Sequence, residues 1–363
     1  MPDEVTRASS PICPGFAALC HPDRRSWEVV LVAWFPVSEN WDWGASRPGF
    51  EVVDRSRLEH DGKTGSRLER VTTADGRVFV VKTEEPRTNW LMQATGDDGR
   101  LVRLWASGTL ARLPPEVDCA IETVEPTPTG WRVVMRDVSA ALIPDGTVLT
   151  REQSLRLLRA ISSLHDALAG VAVDGLCPLL DRFTFLSPAA ARQVPAHLLR
   201  DPILTGWERF GDLVPDDLGR AVFKLLDRPE PLASALAAYP ASLLHGDLKV
   251  ANLGFDGERV VILDWSSVTG LGPRATDHAW YLAINGAAVA ATLDELLADV
   301  AALLGPDDRA ALPLALLGAL VQLGWEKALG ATSDDPSIKA REEDGLRWWW
   351  ARAADALDRW SPA

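Results

Sequence analysis

The stretch His245-Gly246-Asp247-Leu248-Lys249-Val250-Ala251-Asn252, with Ile262-Leu263-Asp264-Trp265 beyond it, decides how this chain is read. Asp247 stands five residues before Asn252, and Asp264 stands twelve residues after it. Between them runs Leu253-Gly254-Phe255-Asp256-Gly257-Glu258-Arg259-Val260-Val261. A short strand, an Asp-Gly turn and a β-branched strand make a hairpin. A hairpin returns to its start, so Asn252 and Asp264 are expected side by side. Two such oxygen-bearing side chains suit a hard cation such as Mg²⁺. Asp247 is then left to face an acceptor hydroxyl. Metal on the phosphates and a carboxylate on the attacking oxygen are what phosphoryl transfer from a nucleotide needs.

The segment H-G-D-L-K-x-x-N, followed by a strand ending in L-D-W, resembles the catalytic loop and metal segment of the aminoglycoside phosphotransferase and choline kinase group. The resemblance implies an α+β, two-lobe, protein-kinase-like fold that uses ATP and Mg²⁺. It implies Asp247 and Lys249 as catalytic residues and Asn252 and Asp264 as metal ligands. His245 would support the loop, and Asp277 would be a structural acid at a helix start.

The N-terminal half offers matching pieces. Val78-Phe79-Val80-Val81-Lys82 is an apolar strand ending in one of only six lysines. A Lys there needs a counterion if it is buried. In the family this Lys grips the nucleotide phosphates and pairs with an acid of the first helix. The expected Glu is absent, and of Asp97 and Asp98 the latter is the favoured substitute. Asp61-Gly62-Lys63-Thr64-Gly65-Ser66 invites a Walker A reading, which fails because Arg57 stands where that motif needs Gly. A phosphate-covering loop with Gly62 and Gly65 is the better expectation. Val133 to Val138 would carry the adenine hinge, with Met135 and Asp137 in it.

Around these pieces the chain divides into three. Residues 1–46 form an irregular extension in which Val29 to Val37 is the one strand-like run. Residues 47–136 read as strands, a helical stretch around Leu101 to Leu110 and more strands: a nucleotide-binding N-lobe. Residues 137–363 read as a mainly helical C-lobe holding the catalytic loop and acceptor site. Thr150 and Gln153 form a capping box there, and Leu155 to Leu168 keep helical spacing. Further helices are expected over 217–227, 230–239, 289–304, 308–330 and 342–359, with the catalytic hairpin as the only strands.

Composition narrows the rest. A net charge of -14 disfavours nucleic acid and anionic membranes as partners. The scattered Cys13, Cys20, Cys119 and Cys177 form no C-x-x-C and suit reduced thiols in a cytoplasmic protein. The apolar run Ala310 to Trp325 contains Pro313 and Gln322 and reads as a core helix, not a membrane span. Trp325 and Trp348 to Trp350 lie near Glu326, Glu342, Glu343 and Asp344 in sequence. Aromatics with acids suit a cationic acceptor, and the resemblance implies one of the aminoglycoside or amino-alcohol type. A catalytically inactive nucleotide-binding module is the alternative. A kinase for protein side chains is disfavoured by Gly246, where those enzymes carry Arg, and by the lack of an A-P-E segment.

Overall fold

A computed structural model describes residues 51–58 and 64–360. The expected extension over 1–46, its strand-like run and Gly62 lie outside the described residues.

The first part is an antiparallel sheet. Its strands are β1 (Val52–Leu58), β2 (Arg67–Thr73) and β3 (Val78–Glu84), and after two short helices β5 (Ile121–Thr127) and β6 (Gly130–Arg136). The order is β1-β2-β3-β6-β5, which puts β3 at the centre. The β2–β3 turn uses Gly76 at φ 82°, while Asp75 accepts from the Thr73 hydroxyl at 2.5 Å. Alternation along β3 separates two faces. Phe79 and Val81 join Val71 and Val134 in a small apolar cluster. Val80, Lys82 and Glu84 point the other way, beside Met135, Val133 and Trp131 in the β6 register.

One helical stretch is expected from sequence between β3 and the last sheet strands. The chain makes two helices, α1 (Trp90–Thr95) and α2 (Arg100–Ala106). Gly96 ends α1 in the left-handed region, and the Asp97 carboxylate then caps α2 through Gly99 N and Arg100 N. A two-residue strand, β4 (Val117–Asp118), runs parallel to the second strand of the catalytic hairpin and joins the two parts of the molecule.

Beyond residue 136 helices dominate. The expected capping box opens α3 (Arg151–Ala167). Next come α4 (Leu179–Thr184), α5 (Pro188–Gln193), α6 (Arg200–Leu213), α7 (Asp216–Asp227) and α8 (Glu230–Ala237). After the catalytic segment follow α9 (Ala275–Asn285), α10 (Leu293–Leu303), α11 (Pro306–Ala331) and α12 (Pro336–Arg359). Helix α11 is long and apolar enough to cross a membrane by length and composition, yet 83% of its most apolar window is buried. It packs against α6, α9 and α12 as a core helix. The α+β, two-lobe expectation therefore holds.

Two expectations about this half need correction. The hairpin strands β8 (Leu253–Asp256) and β9 (Arg259–Ile262) are present, but β7 (Ser242–Leu244) also pairs with β10 (Gly270–Gly272). Three-residue strands carry no readable alternation, and Gly270 is chosen by its approach to the Cys177 carbonyl. Helices α4 to α6 are also additions to the expected set, and α9 is expected only as the helix that the resemblance starts at Asp277. The first two have six residues each. Helix α9 is buried on nearly every side and so shows no apolar stripe.

Candidate active site

Strand β7 delivers the chain into the loop 245–252, and the β8–β9 hairpin carries it onward to Asp264. Leu253 pairs with Ile262, and Leu263 N donates to Asn252 O at 2.9 Å. The hairpin therefore closes as its spacing implied, with Asn252 and Asp264 at its open end.

The loop is gripped from beneath. Asp277 of α9 is fully buried and accepts from His245 N at 2.7 Å and Gly246 N at 3.1 Å. Its oxygens also meet His165 Nε2 at 3.2 Å and Arg182 Nη2 at 3.0 Å. Burial opposes its ionisation, but the His165 bond and the Arg182 charge prevail and hold its carboxyl well below the usual range. The structural role expected of Asp277 is what it performs. Asn285, at the other end of α9, accepts from Val250 N and donates to Leu248 O, both at 2.8 Å. His245 donates from Nε2 to Leu263 O at 2.9 Å, because its Nδ1 accepts from Asp247 N at 3.2 Å. Gly246 sits at φ +91°, and a Cβ there would strike the Val268 carbonyl and the Arg182 guanidinium. No larger residue fits.

On this platform the expected chemistry-bearing side chains converge. Asp247 Oδ2 accepts from Lys249 Nζ at 2.8 Å and from Asn252 Nδ2 at 3.0 Å. Its Oδ1 makes no bond among the described residues and is free for a hydroxyl proton. Asn252 Nδ2 also donates to Asp247 O at 2.9 Å, which leaves the amide oxygen uncommitted. Asp264 lies in the left-handed region at φ 67°. Its Oδ1 accepts from Lys82 Nζ at 2.6 Å and Ser266 Oγ at 3.1 Å. Burial resists its charge, yet the Lys82 and Lys249 ammonium groups outweigh it and push the carboxyl far down. Burial likewise disfavours the charged Lys82, but Asp264 and Glu84 overcome it and raise that lysine. An uncommitted amide oxygen beside an ionised carboxylate fits Mg²⁺, which takes one or two protein oxygens and fills its shell with phosphate and water.

The partner expected for Lys82 is corrected by the structure. Asp98 is exposed and pairs with Arg103 at 2.5 Å. Lys82 instead meets Glu84 of its own strand at 2.5 Å and Asp264 at 2.6 Å. The period of two in a strand puts Lys82 and Glu84 on one face, and that was the signal available in the sequence. Gly65 adopts φ +92° against the Thr88 carbonyl, as a tight loop exit requires. Met135 is half-buried on the Lys82 face of β6. Asp137, just past that strand, accepts from Arg70 at 2.6 Å and from Ser139, so its side chain braces the chain where it leaves β6.

Most of the aromatic and acidic residues read as a cationic acceptor site are buried or paired with other groups. Trp325 and Trp349 are buried. Arg352 lies over Trp348, whose Nε1 donates to Asp294 at 2.8 Å. Glu342 pairs with Arg341 at 3.2 Å, Glu343 approaches Lys339 at 3.9 Å and Asp344 meets Arg347 at 2.5 Å. These acids already have their cations.

A model of the APH phosphotransferase enzyme family matches residues 60–314, more than two thirds of the chain. No protein of curated function matches. Among solved structures, an aminoglycoside phosphotransferase from Alicyclobacillus acidocaldarius is 14% identical at a TM-score of 0.47, covering 84% of this chain and 93% of its own. The choline kinase LicA from Streptococcus pneumoniae is 12% identical at 0.46, covering 85% and 95%. A choline/ethanolamine kinase family protein from Mesorhizobium loti is 15% identical at 0.47, covering 87% and 94%. Because the family model spans the glycine-bearing loop, Lys82 and the whole catalytic hairpin, this chain belongs to the APH phosphotransferase family.

Proposed function

We propose that the protein is an ATP- and Mg²⁺-dependent kinase that transfers the γ-phosphoryl group to a hydroxyl of a small molecule. The observation that carries the reading is the Asp247 carboxylate, steadied on one oxygen by Lys249 and Asn252 and open on the other. Asn252 and Asp264 would hold Mg²⁺, which supplies charge neutralisation at the phosphates. Asp247 orients the acceptor hydroxyl and takes its proton at Oδ1. Lys249 can swing from Asp247 toward the transferred group, and Lys82 faces the other phosphates. The transition state of such a transfer is loose, so positioning and electrostatics supply most of the rate. The family contributes the reaction type, phosphotransfer. The nucleotide, the metal and the hydroxyl acceptor are our reading of the residues.

The alternative of an inactive nucleotide-binding module drew on a missing partner for Lys82. Glu84 fills that place, and the reading loses its support. The test is ADP release from ATP and Mg²⁺ by purified protein across a library of amino alcohols, aminoglycosides and sugars. Turnover that depends on Mg²⁺ and on one acceptor class is expected. Absence of both nucleotide binding and turnover would overturn the proposal.

A further inference from the structure

Two residues apart on β3, Lys82 and Glu84 point the same way, and Nζ meets Oε1 at 2.5 Å. Glu84 is only 1% exposed. Its other oxygen accepts from Ser66 Oγ at 2.7 Å and Asn89 Nδ2 at 3.0 Å. Both donors have second attachments. Ser66 directly follows Gly65 and leads into β2. Asn89 caps α1 by accepting from Leu91 N at 3.0 Å and Met92 N at 3.2 Å. The region where a helix acid was expected does other work. Arg100 of α2 is buried and donates to Ser267 O at 2.5 Å and Thr95 O at 2.6 Å.

We propose that Glu84 is the positioning residue for Lys82, a counter-carboxylate borne on the strand that aims the ammonium at the nucleotide phosphates. Through Ser66 and Asn89 it also ties the exit of the glycine-bearing loop and the start of α1 to that lysine. The proposal rests on the kinase reading above. An ammonium has three donors. Glu84 and Asp264 engage two, and the third is free for a phosphate oxygen. Asp264 is also the candidate metal ligand, and a cation beside it would weaken its hold on Lys82. Glu84 is held away from that position by Ser66 and Asn89, so it keeps the lysine in place. The pair is also constitutive. An acid on a helix can be withdrawn when the helix swings, whereas a neighbour on β3 cannot leave without breaking the ladders to β2 and β6.

The experiment is calorimetry with ATP and Mg²⁺, paired with steady-state kinetics, on wild type, Glu84→Gln and Ser66→Ala. Glutamine keeps the shape and an acceptor oxygen for Ser66 and Asn89 but not the charge. Affinity for Mg-ATP should fall about 10- to 100-fold in Glu84→Gln, the worth of a charge-assisted hydrogen bond. KM for ATP should rise in step with kcat little changed, because the contact acts in ground and transition states alike. Ser66→Ala should shift both in the same direction by less. A purely structural role would lower the melting temperature without this selective loss of nucleotide. If Glu84→Gln does not fold, Ser66→Ala carries the test, and wild-type affinity in it overturns the proposal. Wild-type affinity in a folded Glu84→Gln also overturns it. If wild type itself binds no Mg-ATP, the kinase reading fails instead.

Discussion

The two halves of the site are written in the chain in different ways. Asp247, Lys249, Asn252 and Asp264 lie on one loop and one hairpin, so their meeting is a local property of spacing and turn chemistry. The environment of Lys82 is assembled from afar: Asp264 is 182 positions away. Ser66 and Glu84 are 18 positions apart and meet only because β2 pairs with β3. A motif can be read where backbone geometry alone brings its members together. Where packing selects one acid among several, resemblance nominates the wrong one, as it did with Asp98.

The strongest test of this contrast is Asp264, the residue both halves share. Asp264→Ala should remove the Mg²⁺-dependent part of ATP binding and all measurable turnover. The variant should still fold, because Lys82 keeps Glu84 and Lys249 keeps Asp247. Calorimetry with ATP, with and without Mg²⁺, reads the result. An unchanged Mg²⁺ effect would move the metal site elsewhere.

Next in size is Asp247→Asn, which alters the local half alone. The amide retains an oxygen for Asn252 but cannot take a proton. Turnover should drop by roughly 10² to 10⁴-fold, the usual worth of an acid–base group, while ATP affinity stays as in wild type. Near wild-type turnover would dissolve the assignment.

The same contrast explains what could be read at the level of the fold. The capping box at Thr150, the hairpin turns and the amphipathic helices α7 and α10 announce themselves through local pattern. Helix α9 does not, because it is wrapped by other elements and buried almost all round. Yet α9 supplies both Asp277 and Asn285, two of the residues that hold the loop 245–252. Asp277 is legible only through resemblance, and Asn285 not at all. A buried polar side chain that serves backbone atoms of a distant loop leaves no periodic trace.

That hidden support makes the third prediction, on pH. His278 of α9 is fully buried, accepting from Ser162 Oγ at 3.0 Å and donating to Arg274 O at 2.9 Å. Burial, with His165 nearby, lowers it from 6.5 to about 4. Its folded value lies below the unfolded one, so its contribution is complete above pH 6.5 and is lost as pH falls toward 4. The full loss is about 3 kcal/mol, because each tenfold change in proton affinity is worth about 1.4 kcal/mol. Below that window Asp264 and Asp277, both held low, lose their contributions as they protonate. Urea midpoints measured from pH ~7.5 to ~4.5 should fall in wild type and fall less in His278→Gln. Equal slopes in the two proteins would assign the titration to other groups.

The smallest effect should come from the residue that resemblance chose. Asp98 is more than half exposed, and its partner Arg103 also donates to the Gly175 carbonyl at 3.0 Å. Exposed ion pairs contribute about 0 to 1 kcal/mol. Asp98→Ala should therefore cost less than about 1 kcal/mol of stability and leave affinity for Mg-ATP at the wild-type value. Lys82 would keep Glu84 and Asp264 at the same distances. A tenfold or greater loss of nucleotide affinity in Asp98→Ala would mean that this acid reaches the site after all. The strand-borne pair would then not be the one that holds the lysine during turnover. A result at the noise of the measurement, beside a clear loss in Glu84→Gln, would show that the counter-acid of this site lies on β3 rather than beside a helix.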